Sequence, residues 1–401
     1  MKDVKIADYL WFQEGPGVRN TQYTTSGVKL INVANLVDGN VDLSTSDRYI
    51  SEEEAYGKYN HFLADDGDFV IASSGIKIDY FDKKMGFIKK EHLPLCMNTS
   101  CIRFKVLDTN NLEIKYFMYY LKSNSFKKQL SNQITGSAQL NFGPSHLKKM
   151  TFPLIELKEQ KRIIERLDKT QNIINETKSL LSKYDTLIKS RFIEMFGENP
   201  IDNGKWDVRS LDNLCTVTSS KRIYAEEQSS CGVPFLRISD LVSRINGFPT
   251  NELFIPNKKF KEFREKSLVP VVDDILITSR GTLGLCYIIT PDDEFYFQDG
   301  MITWLAFENH NEILSIFIDW LFKTILKMKI DNETNGATVK YISISDLKNL
   351  KIPVPPLSLQ NQFAAFVHQI DKSKFEIWLT LQNYDIIEKE CFKIWLISTS
   401  C

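Results

Sequence analysis

Residues 152–160 read Phe-Pro-Leu-Ile-Glu-Leu-Lys-Glu-Gln, and residues 352–360 read Ile-Pro-Val-Pro-Pro-Leu-Ser-Leu-Gln. At a spacing of 200 residues Pro153, Leu157 and Gln160 fall on Pro353, Leu357 and Gln360. The register holds on both sides. Upstream, Gly136, Ser145, Leu147 and Lys148 fall on Gly336, Ser345, Leu347 and Lys348. Downstream, Tyr184-Asp185 falls on Tyr384-Asp385 and Phe192 on Phe392, while Phe117 and Leu121 match Phe317 and Leu321. With small insertions the likeness reaches further. Asp68-Phe-Val-Ile-Ala-Ser-Ser-Gly75 resembles Asp274-Ile-Leu-Ile-Thr-Ser-Arg-Gly281, and the run from Val28 to Leu36 resembles that from Val233 to Leu241. One spacing sustained over so many pairs is a duplication. Its period far exceeds the roughly 20–50 residues of a solenoid repeat, so the chain holds two copies of a whole folding unit.

Each copy has a mixed part and a helical part. In the mixed part of the first copy, apolar runs at 28–33 and 69–72 are bounded by Gly, Asn and Asp and read as strands. Residues 114–130 carry Phe117, Tyr120, Leu121 and Phe126 at helical spacing. Beyond Pro153, and beyond Pro353-Val-Pro355-Pro356, proline ends one element and sets up the next. A long helix is expected from Leu157 to Phe196, closed by Gly197 and Pro200. Its apolar seam is Ile163, Leu167, Ile174, Leu181, Ile188, Phe192 and Met195, with Thr170, Thr177 and Tyr184 filling the alternate steps of three and four. About forty residues at ~1.5 Å each give a rod of ~60 Å. The second copy repeats the seam with Phe363, Val367, Ile370, Ile377, Leu381, Tyr384, Cys391 and Trp395, and Lys374 and Glu388 fall within it. Two such helices in one chain can pack on each other antiparallel. The expected fold is α/β in the mixed α+β sense. Its divisions are residues 1–155, a central helix at 156–198, a second mixed domain at 199–355, and a last helix at 356–401 pairing with the central one.

Composition sets the outer bounds. An apolar fraction of 43% and a charged fraction of 25% are ordinary for a globular chain, and the net charge of −1 does not by itself point to nucleic acid. Basic residues are nonetheless clustered, at Lys77, Lys83, Lys84, Lys89 and Lys90 and again at Lys258, Lys259, Lys261, Arg264 and Lys266. Acidic runs such as Glu52, Glu53 and Glu54 cancel them in the sum. The seven cysteines form no Cys-x-x-Cys pair, which argues against a zinc site or a disulfide framework. The most apolar stretch, 313–326, is broken by Asp319 and Lys323 and falls short of the ~20 residues of a membrane span. Met1-Lys-Asp-Val-Lys shows no signal-peptide core, so a cytoplasmic location is expected.

No catalytic constellation is legible. The nearest match to the Asn/Asp-Pro-Pro-aromatic loop of an adenine methyltransferase is Asn199-Pro200-Ile201, which lacks the second proline and the ring. Arg280-Gly-Thr-Leu-Gly284 is too sparse for a cofactor loop and reads as a turn after a strand. Asp292-Asp293-Glu294 follows Pro291 and reads as a surface turn rather than a metal site. There is no Gly-x-x-x-x-Gly-Lys-Ser/Thr loop for ATP, and the five histidines are scattered. The expectation is a chain that is not an enzyme and binds neither metal nor cofactor.

The two junctions carry a resemblance. Gly136-Ser-Ala-Gln-Leu-Asn-Phe, Leu147-Lys148, Phe152-Pro153-Leu and Leu157-Lys-Glu-Gln160-Lys-Arg-Ile163 recur as Gly336-Ala-Thr-Val-Lys-Tyr-Ile, Leu347-Lys348, Ile352-Pro353-Val-Pro-Pro and Leu357-Ser-Leu-Gln360. Two globular domains, each running through such a junction into a long helix, resemble the specificity subunits of type I restriction–modification enzymes over essentially the whole chain. That resemblance implies two target recognition domains, each reading one half of a split site on double-stranded DNA. It implies helices that set the gap between half-sites and dock methyltransferase subunits, with motor–endonuclease subunits completing the complex. S-adenosylmethionine, ATP and Mg would then belong to the partners, which methylate adenine and cut.

For DNA, Lys and Arg supply phosphate contacts, and Arg, Asn, Gln and Lys read base edges. The candidates are Arg19, Asn20, Gln22 and Lys77 in the first copy, and Lys221, Arg222, Arg280 and Lys340 in the second. Gln139 and Tyr341 flank the shared glycine loop. Lys158, Lys161, Arg162 and Arg166 on the central helix are assigned to solvent or a partner. A two-lobed protein scaffold and an RNA-binding protein are the alternatives, with an unseen nuclease or methyltransferase site as a third.

Overall fold

The computed structural model describes residues 2–133, 140–326 and 341–398, with side chains to residue 381. It divides into two compact units, residues 1–176 with 380–401, and residues 177–379. Each takes in part of both long helices.

The first unit is built on an antiparallel sheet in the order Leu10–Glu14, Cys101–Val106, Phe69–Ala72, Met85–Phe87. Phe69–Ala72 is an unbroken apolar run because all four residues are buried. A smaller sheet sets Val28–Ile31 between Leu95–Met97, to which it is parallel, and Tyr49–Ile50. Lys2–Lys5 pairs with Thr151–Leu154 just before the central helix. The stretch 114–130 forms two helices, not one: Ile114–Leu121 and Asn124–Gln133. The break comes at Ser123, whose Oγ accepts from Phe126 N at 3.2 Å. A serine at this spacing offers a cap and so competes with continuation of the helix.

The second unit repeats these three sheets. Its larger sheet runs Thr216–Thr218, Ile302–Ala306, Ile275–Thr278, Cys286–Ile288. Val233–Leu236 lies between Phe254–Ile255 and the parallel Tyr296–Phe297, and Asp207–Ser210 pairs with Lys351–Val354.

The long helices span Leu157–Phe196 and Leu357–Ser398. In the second unit they meet antiparallel. The Phe192 ring lies 5.3 Å from that of Phe363, the Arg191 guanidinium 5.9 Å from the Phe366 ring, and Lys374 Nζ 2.7 Å from Asp185 Oδ1. Residue numbers thus fall on one helix as they rise on the other. Ile188, Phe192, Phe363 and Val367 are buried in one core with Ile370 packed against it. Leu167 and Ile174 are buried, while Ile163, Leu181, Ile377 and Leu381 are half-buried. Tyr384, Cys391 and Trp395 lie outside the described side chains.

The glutamine that ends each junction has a repeated task. Gln160 Oε1 accepts from Glu113 N at 2.9 Å, and its Nε2 donates to Asn111 O and Ile155 O at 2.8 Å. Gln360 Oε1 accepts from Leu314 N at 2.9 Å, and its Nε2 donates to Glu312 O and Pro355 O at 2.8 Å. Both side chains are fully buried. Each satisfies backbone groups of a loop and a junction that no ladder reaches, and so ties the helix start to its mixed domain.

Candidate nucleic-acid interface

The candidate residues sit on loops of the mixed domains. In the first copy, Asn20–Gln22 forms a single helical turn, with Arg19 and Asn20 exposed. Arg19 N donates to Gln22 Oε1 at 3.0 Å, while Gln22 Nε2 donates to Glu54 Oε1 at 2.6 Å and Tyr59 Oη at 3.1 Å. The Gln22 amide is thus engaged within the fold, unlike the exposed loop reader expected from sequence. The second copy has the same turn at Ala225–Glu227, where Tyr224 N donates to Glu227 Oε2 at 2.9 Å and Lys259 Nζ pairs with Glu227. Both turns close on a glycine that nothing else could replace. A Cβ on Gly27 (φ +124°) would lie 2.3 Å from Ile50 O, and one on Gly232 (φ +129°) 2.3 Å from Ile255 O.

Lys77 is exposed beyond Ser74–Ile76, and among the described residues no hydrogen bond or ion pair joins it to Arg19 or Asn20. Ser74–Ile76 pairs with Leu140–Asn141. The corresponding place in the second copy is a backbone bridge between Arg280 and Tyr341, with the Arg280 guanidinium 5.1 Å from the Tyr341 ring centre. Gln139 and Lys340 lie outside the described residues.

The structure does bring second-copy candidates together. Arg222 and Arg280 line one cavity of about 350 Å³ with Gln228, Gln298, Asp299 and Met301. Arg222 Nε donates to Asp299 Oδ2 at 2.8 Å. Lys221 does not line this cavity; its Nζ lies 5.7 Å from the Phe263 ring. Gln228, Gln298 and Asp299 were missed by sequence reasoning. The one signal for Gln298 and Asp299 is a loop length, three residues between Met97 and Cys101 against four between Phe297 and Ile302, and nothing in the sequence marks Gln228. Guanidinium and amide groups around a cavity can form paired hydrogen bonds to base edges, whereas single exposed lysines suit phosphates.

Three buried cysteines are poor nucleophiles. Burial pushes the thiols of Cys96, Cys101 and Cys215 up to about 12, so they are neutral. Pro291-Asp292 forms the expected surface turn, with Asp292 and Glu294 exposed, while the Asp293 side chain is turned inward: it pairs with Arg244 at 2.9 Å and accepts from Tyr287 Oη and Thr290 N. Among the described residues no group of three or more His, Cys, Asp or Glu could hold a metal ion, and no helix is long and apolar enough to cross a membrane.

Fold and loops together define a tandem α/β protein whose two copies share a frame and differ at their polar faces. The family model described as the type I restriction modification DNA specificity domain matches this chain twice, over residues 19–182 and 203–383. The chain belongs to that family, that of the type I specificity subunits. A Haemophilus influenzae relative named as a type I restriction enzyme specificity subunit is 25% identical over 265 residues, 65% of this chain. The match spans 65% of that relative, just under two thirds of its length. The type I restriction enzyme MjaIX specificity subunit of Methanocaldococcus jannaschii is 24% identical over 314 residues, 71% of this chain and 68% of the relative. Among solved structures, the S subunit of a type I restriction–modification system from M. genitalium has a TM-score of 0.50 at 17% identity, covering 98% of this chain and 95% of that one. It shares the fold.

Proposed function

We propose that this chain reads a split DNA site, each copy's mixed domain binding one half-site. The methyltransferase and motor–endonuclease subunits that act there are separate chains docked to it. Methyl transfer to adenine and cleavage belong to those partners, together with S-adenosylmethionine, ATP and Mg. This chain contributes binding and selection, with no catalytic group of its own.

One observation carries the reading: the frame is duplicated while the exposed polar residues are exchanged. Gln160 and Gln360, and Gly27 and Gly232, keep corresponding partners in both copies, and Asp68 and Asp274 each accept from the backbone N–H three residues before them. Arg19 and Asn20 are replaced by Tyr224 and Ala225 in the same turn. A protein scaffold has no need to keep one frame twice with different polar faces, whereas two different readers do. Phosphate contacts give affinity without sequence information, so selection rests on the exchanged residues.

The test is methylome sequencing of cells that express the chain with its methyltransferase subunit, against cells lacking only this chain. Adenine methylation at one split motif, lost on deletion, is the expected result. Unchanged methylation, or marks at a continuous short site, would refute the two-reader mechanism.

A further inference from the structure

Strand register fixes which residues of the two copies correspond. Val70 pairs with Arg103 and Leu276 with Trp304, while Gln13 pairs with Arg103 and Thr218 with Trp304. Counting on from Gln13 and Thr218 places Gly17 opposite Arg222, and counting from Val70 and Leu276 places Ser74 opposite Arg280. Asp299 stands in the loop that is one residue longer in the second copy. The counterpart loop, Asn98-Thr-Ser100, is uncharged. Three charged groups that the first copy lacks therefore converge on one cavity of the second.

This cavity is built rather than incidental. Ser219 Oγ donates to Ile302 O at 3.2 Å and accepts from Gly300 N at 3.3 Å. Ser220, buried, donates through Oγ to Phe297 O at 2.7 Å, and Lys221 N donates to Tyr296 Oη at 2.8 Å. These bonds pin both loops and set Arg222 against Asp299. The carboxylate takes the Nε–H, the Tyr224 hydroxyl also bonds the guanidinium, and of its five N–H groups the rest stay in the same plane as donors.

We propose that this cavity reads a guanine in the second half-site, with Arg222 as the reading residue and Asp299 as its positioning residue. The proposal rests on the sequence-reading function above. Guanine offers O6 and N7 as adjacent acceptors in the major groove, the geometry that two guanidinium N–H groups match. A guanidinium held through Nε has fewer conformations to lose on binding, and its fixed fork penalises any other base. Asp299 also disfavours phosphate beside Arg222, which keeps the side chain on bases.

The experiment uses the assembled methyltransferase complex and duplexes carrying its methylated motif. Replacing guanine by 7-deazaguanine removes N7 alone. At one guanine of the second half-site the unaltered complex should bind about tenfold more weakly, and the D299N complex should lose less. In cells, D299N and R222K should relax that one position and leave the first half-site unchanged. The proposal is overturned if the second half-site holds no guanine, or if 7-deazaguanine at each of its guanines leaves binding by the unaltered complex intact. It is equally overturned if D299N loses as much as the unaltered complex. Absence of any split motif with the unaltered chain is a different result, which removes the sequence-reading function itself.

Discussion

Asp68 and Asp274 occupy the same place, one residue before the central buried strand of each copy, and the two copies face them with different groups. In the first copy Arg103 Nη1 lies 3.1 Å from Asp68 Oδ2, and Arg103 also donates to Gln13 Oε1, Leu63 O and His61 O. In the second, Trp304 Nε1 donates to Asp274 Oδ2 at 2.8 Å, and Val271 N and Phe307 N complete the set. Burial holds the Asp274 carboxyl above its ordinary range despite these three donors. A buried acceptor at the head of this strand is thus a requirement of the frame, since it closes the preceding turn in both copies. The identity of its cross-strand donor is not, and that freedom let one sheet centre become ionic and the other aromatic.

The largest expected effect breaks this symmetry. Arg103→Ala leaves Asp68 buried, with the backbone N–H of Asp65 and Lys105 Nζ at 3.5 Å as its remaining partners, and should cost about 3–5 kcal/mol. Trp304→Phe removes one hydrogen bond to a carboxylate that keeps two backbone donors, at about 1.5–3 kcal/mol. Denaturant midpoints give the sizes, and hydrogen exchange in Cys101–Val106 and Ile302–Ala306 shows which copy has opened. Equal losses would mean that the ion pair is not what holds the first sheet centre.

A smaller effect should be symmetric. Gln160→Ala and Gln360→Ala each strand one backbone N–H and two carbonyls, with a cost of at least about 1–3 kcal/mol. The two values should agree, because the partners correspond bond for bond. A marked inequality, read from the same unfolding curves, would show that the two junctions are not equivalent. Least of all should come from the helix pair. Lys374→Ala removes an ion pair whose Asp185 side chain is 59% exposed, and the change in midpoint should correspond to about 0–1 kcal/mol.

The duplication made most of the fold legible, because identities at a constant spacing survive where the same backbone groups must be satisfied twice. Gln160 and Gln360 are the clearest case: their pairing was visible in sequence, their task only in the hydrogen bonds. Local patterns were less informative where long-range contacts decide. Residues 114–130 keep one apolar face, yet Ser123 splits them into two helices. Asp293 follows a turn-forming Pro291 but is drawn inward by Arg244, which is distant in sequence. The polar faces were the least legible. Arg222 and Arg280, which line the cavity, were candidates because they are arginines on loops, but nothing local distinguishes Gln22, whose amide is engaged, from Gln298, which also lines it. Asp299 could have been found only by laying one copy on the other and noticing the extra loop residue.

The central claim is that each copy selects its own half of the site. Its most direct test exchanges residues 1–155 for the matching segment of a relative with a different target, and sequences the methylome of cells carrying the hybrid with its methyltransferase subunit. The account predicts that one half of the split motif changes to the relative's sequence while the other half is kept. A motif that changes in both halves, or in neither, would contradict it.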